Sequence, residues 1–207
     1  MERDIDLTKI KSYVINVDSA TKRFEECKRI LDRLNISFER YSANTTPSPP
    51  NPYGSHMVGC SLSHLELLEK IEPGTIIFED DIAPTRYFTS KISVPEDTDA
   101  LYLGVSVYGV PVASDLGYPG AVIATQETQH LKRIYNMCST HAILYLSKKY
   151  IDAVKESISG HLFRGVTCDV AIAHIQNDFK VLTPNNPLFY QRGEPDLTNL
   201  SLQCISL

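Results

Sequence analysis

Three carboxylates in a row, Glu79, Asp80 and Asp81, directly follow the apolar run Ile76-Ile77-Phe78. Packed so closely, like charges oppose one another's ionisation unless a cation lies among them, and clustered oxygens select a hard divalent ion. β-branched and aromatic residues in an unbroken run suit a strand covered on both faces, which puts the acids where that strand emerges. The carboxyl ends of the strands are also where open α/β sheets bind ligands. The alternative is an acidic turn with its side chains in water.

The elements that must position these acids follow from the flanking patterns. Residues 12–17 read as a first strand, with Asp18 or Ser19 as the N-cap of a helix that gathers Phe24, Cys27, Leu31 and Leu34 on one face. Residues 36–41 alternate like a second strand, so the chain opens as β-α-β. No Gly-x-Gly-x-x-Gly or Walker loop follows the first strand, which argues against a dinucleotide dehydrogenase or a phosphate-cradling kinase. The Pro-rich stretch 46–54 is a surface loop, read as a lip over the site or a plain connection. A helix opens at Gly59 with Leu62, Leu65, Leu68 and Ile71 expected toward the sheet, and Pro73-Gly74 stops it. Further strands are expected at 100–105, 140–146 and 180–182, with loops and a hairpin over 106–127. Ser147 caps a helix carrying Tyr150, Ile151, Val154 and Ile158, and a short helix starts at Cys168 and ends near Asn177.

The whole chain sets limits. Its 207 residues suffice for one domain with a substantial core, standing alone or as the amino-terminal part of a longer protein. A net charge of -5 without large basic clusters argues against a nucleic-acid partner. No apolar run reaches the length of a membrane span, and the first residues do not resemble a signal peptide. Five cysteines (Cys27, Cys60, Cys138, Cys168, Cys204), widely spaced and in no metal-ligand pattern, suggest free thiols in a reducing compartment such as the cytoplasm.

Four stretches carry a family resemblance: Tyr13-Val14-Ile15-Asn16-Val17 with Arg23; Gly59-Cys60-Ser61-Leu62-Ser63-His64; Ile76 to Asp81; and Thr140-His141-Ala142-Ile143-Leu144 followed by Asp169. In this order they resemble glycosyltransferase family 25, which includes bacterial lipooligosaccharide and procollagen galactosyltransferases. The resemblance implies an α/β GT-A fold, Rossmann-like, with a central mixed, mostly parallel sheet flanked by helices. It also implies a UDP-sugar donor, a glycan or glycoprotein acceptor, Mn²⁺ or Mg²⁺, and inversion at the anomeric carbon.

On that pattern Asp81 is the first metal ligand, and Glu79 and Asp80 face the donor or a metal-bound water. Asp169 is the candidate general base, since inverting transfer needs a group to take the acceptor's proton; an Asp there is also a natural helix cap. Tyr13, Val14 and Asn16 are donor contacts from the first strand, Tyr13 stacking on the base or else filling the core. Arg23 can reach the uracil or a phosphate, or lie on a solvated helix face. Ser63 and His64 either touch the donor or hold the acidic turn. His141 donates a hydrogen bond in the site or is a satisfied core histidine. A further metal ligand is sought in the tail at Glu194 or Asp196, where Arg192 is a candidate diphosphate contact.

Overall fold

The computed structural model describes residues 1–47, 56–110 and 120–192. Strand β1 (Glu2–Asp6) precedes the expected opening, which follows as β2 (Lys11–Asn16), helix α1 (Thr21–Arg33) and β3 (Glu39–Ser42), with β3 parallel to β2. Neither Asp18 nor Ser19 caps α1. The Asp18 carboxylate accepts instead from Arg40 and Ser42, each at 2.7 Å, and the N-cap is Ala20, so among the described residues no side chain caps the first amides of the helix.

Helix α2 (Met57–Leu68) departs from its expected face. Leu67, Leu68 and Ile71 are buried and Leu62 and Leu65 are only partly so, while Gly59, Ser61, Ser63 and His64 turn fully inward. This helix crosses the end of the sheet where polar groups converge, and its inner surface answers those groups before the apolar core. Strand β4 (Thr75–Glu79) is the expected one, with Ile76, Ile77 and Phe78 fully buried. Each such side chain contributes roughly 1.5–3 kcal/mol, which anchors the acids that follow. Strands β5 (Ile82–Pro84) and β6 (Lys91–Pro95) come next, β6 pairing antiparallel with β1.

Beyond β7 (Ala100–Tyr102), the poorly patterned region holds a small ladder of β8 (Tyr108–Gly109) with β9 (Gly120–Ala121), then a hairpin of β10 (Ala124–Gln126) with β11 (Leu131–Ile134). Strand β12 (Ala142–Tyr145) leads to α3 (Lys148–His161), where Ser147 Oγ accepts from the Tyr150 amide at 3.3 Å as expected of a cap. The short α4 (Cys168–Ala173), β13 (Val181–Pro184) and β14 (Phe189–Gln191) complete the described chain, β14 lying antiparallel to β5.

Eight strands form the main sheet in the order β10-β11-β13-β7-β12-β4-β2-β3. It is mixed, as expected, but not mostly parallel: β2 with β3, β2 with β4 and β7 with β13 run parallel, while the other four pairings are antiparallel. Two strands account for this: β12 enters between β4 and β7 and runs against both, and β11 runs against β13 and β10. Alternation along the strands splits the core in two. Ile77, Ile143 and Tyr145 meet α2, α3 and α4, whereas Ile76, Phe78 and Leu144 meet α1 and the β1–β6 pair. Among the described residues, no helix is long and apolar enough to cross a membrane.

Candidate functional site

Strands β2 and β4 are parallel neighbours, yet the chain leaves β2 through α1 on one face and reaches β4 through α2 on the other. Their carboxyl ends therefore bound a crevice at a change of winding direction, the place where α/β sheets take ligands. A cleft of about 560 Å³ opens there. Asn16, Ala20 and Arg23 form one wall, Asn44 to Thr46 with Gly59, Cys60 and Ser63 the other, and Glu79 and Asp80 lie at its base. Its size is that of a small-molecule site.

The three acids are held in three different ways. Asp80, 1% exposed, accepts from Asn16 Nδ2 at 2.5 Å and pairs with Arg23, whose own side chain stays 57% exposed. Arg40 in turn donates twice to Asn16 Oδ1, at 3.0 and 2.7 Å, fixing the amide that faces Asp80. Glu79 lies 3.1 Å from His64 Nε2 and accepts from Thr140 Oγ1 at 2.6 Å. Burial would raise this carboxyl, but the bond and charge of His64, with Thr140, hold it below its usual range. Asp81 Oδ2 accepts from Gln191 Nε2 at 3.0 Å, while Oδ1 is buried without a hydrogen-bond partner. Burial first, then the Glu79 charge, pushes the Asp81 carboxyl up to about 7.

The remaining candidates divide by position. Asn16, Arg23, Ser63, Glu79 and Asp80 meet at the cleft, and His64 stands directly behind Glu79. Ser63 is wholly buried, donating to the Gly59 carbonyl at 2.7 Å and accepting from the Asn44 amide at 2.8 Å, so it fastens the two parts of the wall together. A Cβ at Gly59 would come within 2.5 Å of the Asn44 carbonyl oxygen, which is why the residue there has none. Val14 is fully buried in the apolar core, and Tyr13 packs partly buried against the core with Lys11 over its ring. Neither side chain borders the cleft.

Arg192 is occupied with the acidic turn itself. Its backbone amide donates to the Asp81 carbonyl at 2.6 Å, its Nε and Nη2 to the carbonyls of Ile82 and Asp80, and its Nη1 to Glu26. Asp169 lies in the first turn of α4, where Thr167 is the N-cap; its Oδ1 accepts from the Val170 amide at 2.9 Å. His141 is a core histidine, 3.0 Å from Ser139 Oγ through Nδ1, and burial lowers it to about 4. Glu194 and Asp196, and most of the Pro-rich lip, fall outside the described residues.

Several partners were not foreseen. Thr140 lies within the 140–144 motif, but Gln191, which steadies Asp81 from 110 positions away, has no local signal. The same is true of Cys168, whose Sγ lies 3.7 Å from that of Cys60 across 108 positions. A scan of ligand spacings along the chain finds only ligands that are neighbours in sequence.

No protein-family model matches the chain, and no curated protein does. Among solved structures, the CTP:phosphocholine cytidylyltransferase of Streptococcus pneumoniae is similar with a TM-score of 0.37 at 10% identity, over 87% of this chain and 92% of that one. A likeness so slight carries no argument about chemistry.

Proposed function

We propose that the chain is a metal-dependent GT-A glycosyltransferase that moves a hexose from a UDP-sugar to a hydroxyl of a glycan or glycoprotein acceptor, with inversion. The observation that carries this reading is the buried, unpartnered oxygen of Asp81, which directly follows Glu79 and Asp80 at the base of a cleft between two parallel strands but does not itself border that cleft. The donor set is oxygen only, which fits Mn²⁺ or Mg²⁺, ions that accept one or two carboxylates and leave positions for phosphate oxygens and water. Asp81 would hold such an ion together with Glu79. When bound, the ion neutralises the charge of a departing diphosphate without any proton.

The chain's own groups supply the rest. Asp80 has both oxygens engaged, so its role is to aim Arg23, whose exposed guanidinium can meet a phosphate. The first turn of α1, free of a side-chain cap, turns amides and a positive dipole end toward the same anion. Asn16 steadies Asp80; His64 and Thr140 steady Glu79. Asp169 is the proposed base for the acceptor hydroxyl. The sugar nucleotide, the inversion and the base draw on the motif resemblance to family 25.

A competing reading, a sugar nucleotidyltransferase, needs a Gly-rich basic loop after the first strand, and residues 18–23 contain no glycine. One panel separates the two. Melting temperature is followed with UDP-, GDP- and dTDP-sugars, with and without Mn²⁺, since a ligand of the folded state raises it. A Mn²⁺-dependent rise and UDP release with UDP-sugars, both lost in Asp81→Asn while the fold persists, is the expected result. Pyrophosphate release from a nucleoside triphosphate and a sugar phosphate would replace the reading with the nucleotidyltransferase, and no response to any nucleotide would overturn both.

A further inference from the structure

Behind the cleft wall, two thiols and an imidazole converge from two helices. Cys60 and His64 stand one turn apart on α2, and Cys168 is the first residue of α4. One ligand atom from each lies within 4.8 Å of the other two. His64 and Cys168 are buried, while Cys60 is exposed along the cleft. The His64 ring has Nε2 beside the Glu79 carboxylate and leaves Nδ1 buried with no hydrogen-bond partner.

The spacing between the sulfurs, that of a thiol–thiol hydrogen bond, excludes a disulfide and leaves room for a shared ion. With metal–sulfur bonds of about 2.3 Å at a tetrahedral angle, two thiolates on one zinc stand roughly 3.8 Å apart. The observed 3.7 Å matches that edge and is far from the roughly 2.05 Å of a disulfide. Ring orientation agrees as well. A metal-binding histidine commonly donates its second nitrogen to a carboxylate, and Glu79 is in that position.

We propose that Cys60, His64 and Cys168 bind a thiophilic divalent cation of the zinc class, through two sulfurs and one imidazole nitrogen, with the fourth position open toward the cleft. On binding, the two thiol protons and one ring proton of the His64 imidazolium pass to solvent, so that both sulfurs bond the ion as thiolates and the imidazole as a neutral ligand, with no change of oxidation state. Sulfur and nitrogen donors select zinc over magnesium or manganese, and the carboxylate oxygens do the reverse, so the two neighbouring sites sort ions by softness. The assignment is independent of the transferase reading, because it uses neither a nucleotide nor a sugar.

The test is a titration of the reduced, chelator-stripped full chain with Co²⁺ and then Zn²⁺, read by absorbance. Expected are one equivalent of Co²⁺, near-ultraviolet sulfur-to-cobalt charge transfer with tetrahedral bands in the visible, and displacement of these by Zn²⁺. Cys168→Ser removes the charge transfer or weakens the site at least 100-fold. Should that buried change impair folding, Cys60→Ser at the exposed ligand gives the same loss with an unchanged melting curve. Glu79→Gln weakens zinc by about 10–100-fold while retaining the tetrahedral spectrum. Three outcomes would overturn the proposal: no cobalt bands with all thiols still titratable, a 2 Da mass deficit locating a Cys60–Cys168 disulfide in the protein as isolated, or unchanged zinc binding in both cysteine variants.

Discussion

Helices α2 and α3 pack on the same side of the sheet and differ in almost everything else. Helix α3 starts on the Ser147 cap and buries Tyr150, Ile151, Val154 and Ile158. Helix α2 has no side-chain cap and turns Gly59, Ser61, Ser63 and His64 inward, with Ser61 Oγ and His64 Nδ1 buried and unpartnered. No α3 side chain stands among the unpartnered buried polar groups of the described residues. Unpartnered groups of this kind cost free energy, which a helix serving only as scaffold has no reason to carry. The contrast separates a helix selected for packing from one that serves as the wall of a site.

The sharpest way to probe this contrast is to cut into the packing helix. Ile151→Ala, at a residue 1% exposed, should cost about 2–5 kcal/mol in urea unfolding while the folded fraction keeps the nucleotide binding proposed above. Acid should act on the polar side. His141 has its folded pKa lowered to about 4 against about 6.5 unfolded, so the unfolded state takes up the proton first and stability falls as pH drops through that interval. The loss should approach about 3 kcal/mol at pH 4, and His141→Gln should flatten that limb of the pH–stability curve.

Two glycine substitutions then compare the helices directly. In α2, Gly59→Ala drives a methyl into the Asn44 carbonyl and should cost about 1–3 kcal/mol, and it should weaken the proposed donor binding because the 43–46 wall must move. In α3, a Cβ at Gly160 meets nothing within 4 Å, so Gly160→Ala should stabilise by about 0.5–1 kcal/mol and leave binding untouched. Equal effects at the two positions in calorimetry would erase the distinction.

The same contrast explains what could be read from residues alone. Ile76 to Phe78, Ile143 with Leu144, and the capped, amphipathic α3 announce themselves because burial and capping are local patterns. Strand β1, Glu-Arg-Asp-Ile-Asp, does not, since a polar edge strand is defined by its partner β6 and not by its own composition. In helix α2 the apolar spacing places Leu68 and Ile71 rightly in the interior but overstates Leu62 and Leu65, because the first half of its inner face is set by polar neighbours on β4 and on the 43–46 segment. At the candidate site, the acids and Asn16, Arg23, Ser63 and His64 were legible as motif members. Their division of labour was not, because it depends on Gln191, Arg40 and Cys168, which only folding brings near.

The pairing of β14 with β5 carries one more consequence. Side chains on a strand alternate, so sliding β14 by a single residue would swing the Gln191 amide away from Asp81 and move the backbone grip of Arg192 off the acidic turn. The register of this two-stranded ribbon thus works as an alignment pin. Tension or tethering applied to the chain just beyond it would be felt as a change in the acidity of one carboxyl group.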